Sequence, residues 1–232
     1  MSVFAIADLH LPGGTEKPMH IFGTHWKNHF EVVCANWENQ INHNDIVLLP
    51  GDISWAMQLS DALVDLQSIA NLPGEKILIK GNHDYWWNSL SRVRTMLPKT
   101  INVLQNDSLT IGDFVFLGTR GWNLPTTQVP LEPSDEKILQ REVERLRLSI
   151  NHAQQYSKGK HLVALMHFPP LLSDGLSTDF SILLENACVA NVVYGHLHGL
   201  GTRFGFSGKH NETTYHLVSC DAISFSPVFI TN

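Results

Sequence analysis

The stretch "KILIKGNHDYWWNS", residues 76–89, carries the reading of the whole chain. An apolar run ends on Asn82, His83 and Asp84, and two indoles follow. A buried strand that closes on three polar side chains is either a turn or one wall of a site. If it is a site, other strands must end the same way. They do. "VFAIA" (3–7) runs into Asp8 and His10, and "IVLLPG" (46–51) into Asp52. "LVALM" (162–166) leads to His167, and "NVVYG" (191–195) to His196 and His198. Five strand-like runs thus deliver acids, an amide and imidazoles at their C-terminal ends. In a largely parallel sheet those ends share one edge, where α/β proteins place their sites.

The rest of the sequence agrees with an α/β chain. Continuous β-branched and leucine runs predict strands at Val3–Ala7, Ile46–Pro50, Lys76–Lys80, Phe114–Gly118, His161–Met166, Asn191–Gly195 and Tyr215–Ser219, with a terminal one near Pro227–Ile230. Apolar residues at helical spacing predict helices between them. Trp26, Phe30, Val33, Trp37 and Ile41 form one stripe, with Thr24 as its cap. Leu59, Leu63, Leu66 and Ala70 form another. Leu139, Val143, Leu146, Ile150 and Ala153 form the stripe of a long helix over Ser134–Tyr156, with Asp135 and Glu136 in its first turn. Short helices are expected at Asn88–Leu97 and Phe180–Asn186. Residues 119–133 have no period and are read as a loop, functional or mobile. Gly-rich turns after Gly195 predict hairpins in a second sheet.

At 232 residues the chain is read as a single domain, 1–232, large enough to bury a core without staples. Hydrophobic content is 43%, and the net charge of −6 comes without a lysine or arginine run, which disfavours a general nucleic-acid binder. Three widely spaced cysteines read as buried thiols in a reducing cytoplasm. No signal peptide and no apolar stretch of membrane-spanning length are seen, so a cytoplasmic enzyme is the expectation. The anomaly is histidine, present 13 times. Histidine ligates metals and titrates near neutrality.

Taken singly, Asp52 reads as a turn or cap, and His167 as an ordinary satisfied histidine. Taken together, the set reads as a metal site. Asp8 and His10 are two apart, as are His196 and His198, so each pair in extended chain points one way. Asp, Asn and His donors without thiolate suit Mn, Fe or Zn. Seven residues, Asp8, His10, Asp52, Asn82, His167, His196 and His198, exceed what one ion takes. Two ions sharing a bridging carboxylate use them all.

In order, "DLH", "GD", "GNHD", a histidine after a strand, and "GHLH" resemble the motifs of the calcineurin-like metallophosphoesterases, from Asp8 to His198. "KPMHIFG", "GDISWAM", "GNHDYWW" and "GTRGW" further resemble a bacterial branch of predicted phosphohydrolases. The resemblance implies a four-layer α/β/β/α sandwich: two mixed β-sheets with helices on the outer faces. It implies Asp8, His10 and His198 on one metal ion, Asn82, His167 and His196 on a second, and Asp52 bridging. The implied enzyme is a dinuclear phosphoesterase acting on a small phosphate mono- or diester. Two cations roughly 3.5–4 Å apart turn a bridging water into hydroxide and clamp the phosphate. His83, beside Asn82, is then expected as the general acid for the leaving alkoxide, with Asp84 orienting its imidazole and favouring its protonated form.

Further expectations concern the surroundings. Arg120 in "GTRGW" either binds a substrate phosphate oxygen or pairs a carboxylate structurally. Of His20, His25 and His29, His25 is the one expected to face the substrate. Asp45 and Asp221 are read as turn residues, and Trp26, Trp37, Trp55 and Trp122 as core. One of Trp86 and Trp87 is expected to anchor the next helix and the other, with Tyr85, to line the substrate pocket. Two competing readings are a nuclease-type phosphodiesterase, which the acidic charge opposes, and a non-catalytic scaffold on the same fold, which the complete motifs oppose. Substrate, native metal and oligomeric state stay open at this stage.

Overall fold

The structure is a computed structural model that describes residues 1–14, 17–125 and 130–232. Parts of two expected loops, residues 15–16 and 126–129, lie outside the described residues. In chain order the elements are β1 (Val3–Ala5), α1 (His29–Gln40), β2 (Ile46–Leu49), α2 (Leu59–Ala70), β3 (Glu75–Leu78), α3 (Leu90–Met96), β4 (Ile101–Val103), β5 (Ser108–Ile111) and β6 (Phe114–Thr119). They continue with α4 (Pro133–Gln154), β7 (His161–Met166), α5 (Asp179–Asn186), β8 (Asn191–Tyr194), β9 (Gly208–His210), β10 (Thr213–Leu217) and β11 (Val228–Thr231).

Two mixed sheets result. The first runs β11-β1-β2-β3-β4, and the second β5-β6-β7-β8-β10-β9. In the first, only β11 is antiparallel to its neighbour. In the second, β6, β7, β8 and β10 are parallel and the edge strands β5 and β9 are antiparallel. The C-terminal ends of the parallel strands carry all the candidate site loops.

Alternating residues of each central strand feed two different cores, because successive side chains point to opposite faces. In β2, Ile46 and Leu48 face the space between the sheets, while Val47 and Leu49 face helices. In β7, Val163 and Leu165 lie between the sheets, while Leu162, Ala164 and Met166 face outward. Val33 and Trp37 of α1, with Leu66 and Ile69 of α2, cover the first sheet. Val143, Leu146 and Ile150 of α4, with Phe180 and Leu184 of α5, cover the second. This is the α/β/β/α sandwich. It explains why the strands read as unbroken apolar runs: neither face meets water. Each large buried side chain contributes about 1.5–3 kcal/mol.

One boundary differs from the sequence reading. Residues Thr24–Trp26 form a 3-10 turn, Asn28 adopts a left-handed conformation with φ of 54°, and α1 begins only at His29. Thr24 therefore does not cap it. Trp26 fits the helical period, but its ring is buried against His29, His198 and Phe225 at the sheet edge. The short strands β4, β5 and β9 give no sequence signal, since runs of three or four residues leave no period to detect.

Candidate metal centre

The five loops converge on one edge of the sandwich. Asp8 and His10 follow β1, Asp52 follows β2, Asn82 follows β3, His167 follows β7, and His196 and His198 follow β8. Four of these seven have positive φ: Asp8 at 61°, His10 at 47°, Asp52 at 53° and His196 at 74°. Such conformations cost about 1–3 kcal/mol each and persist where the surroundings enforce them. Here backbone hydrogen bonds zip the first two loops together: Asp8 N to Gly51 O at 3.1 Å, His10 N to Asp52 O at 3.0 Å and Leu11 N to Ile53 O at 2.9 Å. Two glycines let the backbone come close. A Cβ on Gly81 would lie 2.1 Å from Asp52 Oδ1, and one on Gly195 2.4 Å from Asp8 Oδ2.

The side-chain atoms form two overlapping groups. Asp8, His10 and His198 converge within 4.8 Å of one another, as do Asp8, Asp52 and His167. His198 Nδ1 pairs with Asp221 Oδ1 at 2.8 Å, which leaves its Nε2 facing His10 Nε2 at 3.3 Å. His167 Nδ1 donates to Pro50 O at 3.0 Å, and its Nε2 faces Asn82 Oδ1 at 2.6 Å. His196 Nδ1 stands 3.0 Å from the same Asn82 oxygen. Asp52 Oδ2 is 3.4 Å from His167 Nε2 of its own group and 3.9 Å from His10 Nε2 of the other. Among the described residues, Asp8 Oδ1 is buried without a hydrogen-bond partner.

The electrostatics fit cations. Burial pushes the Asp8 carboxyl up to about 6, although His167 and His198 oppose it. Burial also holds His10 and His196 down to about 3, so both are neutral with a lone pair to offer. Burial alone would lower His167, but the Asp52 and Asp8 carboxylates raise it to about 9. That shift favours positive charge on His167, beside the Asn82 oxygen. An orphaned buried carboxylate oxygen, neutral imidazoles and an amide oxygen are a donor set for a divalent metal.

Supporting residues differ in part from the sequence reading. Asp84 does not orient His83. Its fully buried carboxylate accepts from the amides of Gly81 (2.8 Å), Asp52 (2.9 Å), Ile53 (2.9 Å) and Ser54 (3.2 Å), and from Trp86 Nε1 (2.9 Å). It ties the loop after β3 to the loop after β2. His83 instead anchors its backbone amide on Asp52 Oδ1 at 2.8 Å, and its Nδ1 has no partner among the described residues. Burial lowers the His83 imidazole rather than favouring its charged form. Asp221, read as a turn residue, holds His198 and also accepts from Gly199 N at 2.8 Å. Such outer partners fix the orientation of a metal-binding imidazole. No motif ties Asp221 to the site in sequence.

The indoles also exchange places. Trp86 and Trp87 are both buried and neither borders the cleft beside His10 and His83, although Trp87 borders a smaller cavity with Lys80 and Arg120; Tyr85 is exposed, its ring near His83. Trp55, expected in the core, stacks on His10 with centroids 4.7 Å apart and tilts against His83 at 4.6 Å. With Met19, Phe22 and Trp26 it lines a cleft of about 330 Å³ that His10, His83 and His198 also border. His25 lies on this cleft. Arg120 does not. Its guanidinium leans over Trp122 and reaches Glu142 Oε1 at 3.4 Å. A larger groove, about 990 Å³, lies between α4 and α5 and holds none of these residues.

The calcineurin-like phosphoesterase family matches residues 1–200, and the chain belongs to that family, which makes it a phosphoric ester hydrolase. No curated protein matches the sequence. Among solved structures, the chain is similar to TT1561 of Thermus thermophilus, at TM-score 0.57 and 12% identity, covering 99% of this chain and 97% of that one. It is similar to phosphopantetheinyl hydrolase (PptH) of Mycobacterium tuberculosis at TM-score 0.56 and 16% identity, covering 94% and 88%. AQ665 of Aquifex aeolicus gives TM-score 0.53 and 14% identity, covering 98% and 95%. At these identities the likeness concerns the fold. Among the described residues no helix is long and apolar enough to cross a membrane.

Proposed function

We propose that this chain is a two-metal phosphoesterase for a small phosphate ester, working in the cytoplasm. Asp8, His10 and His198 hold one divalent cation, Asn82, His167 and His196 hold the other, and Asp52 serves both. The ions are Mn, Fe or Zn. The observation that supports this reading best is the position of Asp52 Oδ2, within 3.9 Å of imidazoles from both groups. Bound there, two divalent cations supply an activated water and neutralise charge on the phosphoryl oxygens.

The chain's own residues do the rest. His83 borders the cleft beside His10 and His198, and it hands a proton to the departing alkoxide. Asp84 keeps the loops of Asp52 and Asn82 in register and so holds those donors in place. Phe22, Met19 and Trp55 give the leaving group apolar walls, with His25 at their edge.

The test is reconstitution. Protein loaded with Mn²⁺ is expected to bind about two ions per chain and to hydrolyse p-nitrophenyl phosphate or its bis ester, the ratio giving the ester preference. Asp52→Asn should lose metal and activity together. Absence of turnover with both esters overturns the enzyme reading. Two retained ions in Asp52→Asn overturn the shared role of Asp52.

A further inference from the structure

A second cavity, about 140 Å³, opens at the C-terminal ends of β3 and β6. Lys80, Arg120 and Arg145 line it, and among the described residues Glu142 is the one carboxylate on its wall. Glu142 is itself buried and already committed. It accepts from Thr119 Oγ1 at 2.6 Å and Arg145 at 2.5 Å, with Arg120 at a loose 3.4 Å. Three cations therefore face one carboxylate in a half-buried space. Among the described residues, Arg120 Nε–H is buried there without a hydrogen-bond partner. Gln105 turns its oxygen to Trp87 Nε1 at 3.0 Å, so its amide N–H groups remain to donate. Burial depresses the Arg120 guanidinium. Clustered cations and an orphaned donor need an acceptor that carries negative charge.

We propose that this cavity is an oxyanion subsite, sized for one phosphate group and distinct from the metal centre. Its volume is that of about five waters, the scale of a phosphate and too small for a nucleotide. It is also coupled to the catalytic edge. Arg120 O accepts from the amides of His167 at 3.0 Å and Phe168 at 2.9 Å, so the loop carrying His167 rests on the peptide of Arg120. The phosphate comes either from a second phosphoryl group of the substrate or from free inorganic phosphate. The first source rests on the phosphoesterase reading; binding itself does not.

The experiment has two arms. Metal-free protein is titrated with inorganic phosphate at constant ionic strength, against chloride, while the Arg120 Nε–H resonance, assigned by its loss in Arg120→Lys, is followed by NMR. The resonance is expected to shift with phosphate and not with chloride. Arg145→Ala and Lys80→Met should each weaken binding about tenfold, the size of one charge-assisted hydrogen bond. An unmoved resonance, or equal affinity in both variants and wild type, overturns the proposal. In the second arm, Mn²⁺-loaded enzyme hydrolyses a bisphosphorylated alcohol beside its monophosphate. A preference for the bisphosphate that Arg145→Ala abolishes identifies a substrate phosphate. Phosphate binding without that preference identifies free phosphate as the ligand. Failure to hydrolyse either ester overturns the phosphoesterase reading and leaves the first arm to judge the cavity.

Discussion

His83 and Asp84 adjoin in sequence and do unrelated work. The five donors on Asp84 include four backbone amides of two loops, and a carboxylate is the one side chain of that length able to accept them all. Asp84→Asn turns an N–H₂ group toward amides that need an acceptor. It is expected to cost roughly 2–5 kcal/mol in urea unfolding and to reduce metal retention. His83→Ala removes a half-buried ring that packs on Trp55 and Tyr85 but whose Nδ1 bonds nothing among the described residues. It should keep its stability and metal content while turnover falls, most for esters with poor leaving groups. An Asp84→Asn protein as stable as wild type, differing only in its pH–rate profile, would restore the steering role that the sequence implied. The seven candidate donors were legible because each follows an apolar run, four of them as two i, i+2 pairs. Asp221 and Trp55 were not, because what brings them to the site is the sandwich and no local spacing records that.

At the level of elements, Lys76 shows a charge used inside a strand. It lies in β3, fully buried, and its Nζ donates to Ala70 O at 3.3 Å and to Leu72 O at the end of α2. A cation there suits the negative end of the helix dipole and adds a donor to carbonyls at the helix end. Burial nevertheless draws the ammonium down from 10.5 to about 8, with Glu75 opposing. Between those values the unfolded chain binds more protons than the folded one, so stability rises with pH across that window and falls back below it. The gain is on the order of 3 kcal/mol. Urea midpoints at pH 8 and 10 should show a rise in wild type that Lys76→Met lacks; parallel behaviour of the two proteins would refute it. The sequence run "EKILIK" marked the strand but not the helix end its lysine serves. Strands and long helices were readable because burial on both faces, or one, leaves a period. The 3-10 turn at Thr24–Trp26 was not, since Trp26 answers to the site edge rather than to the helix that follows.

Across the whole molecule, ownership of the site is divided. The first sheet contributes Asp8, His10, Asp52 and Asn82, and the second contributes His167, His196 and His198. The halves are stitched where they meet: Ala7 bridges Ser219, His167 Nδ1 reaches Pro50 O, and His196 N donates to Asp8 Oδ2 at 2.9 Å. Two buried carboxylates and several imidazoles without cations carry a cost that bound metal removes, so chelation should lower the melting temperature by several degrees, and Mn²⁺ should restore it. An unchanged melting temperature after verified metal removal would count against the centre.

The same division governs timing. A cation held by donors of both sheets would leave only once both sets let go, and parting of the sandwich is the motion that would release them together. Its departure rate then measures how often the two layers breathe, rather than the strength of any single bond. A substitution far from the centre, in the apolar layer between the sheets, should speed metal loss to a chelator without touching a ligand. Leu48→Ala, which hollows that layer at β2, is the direct case.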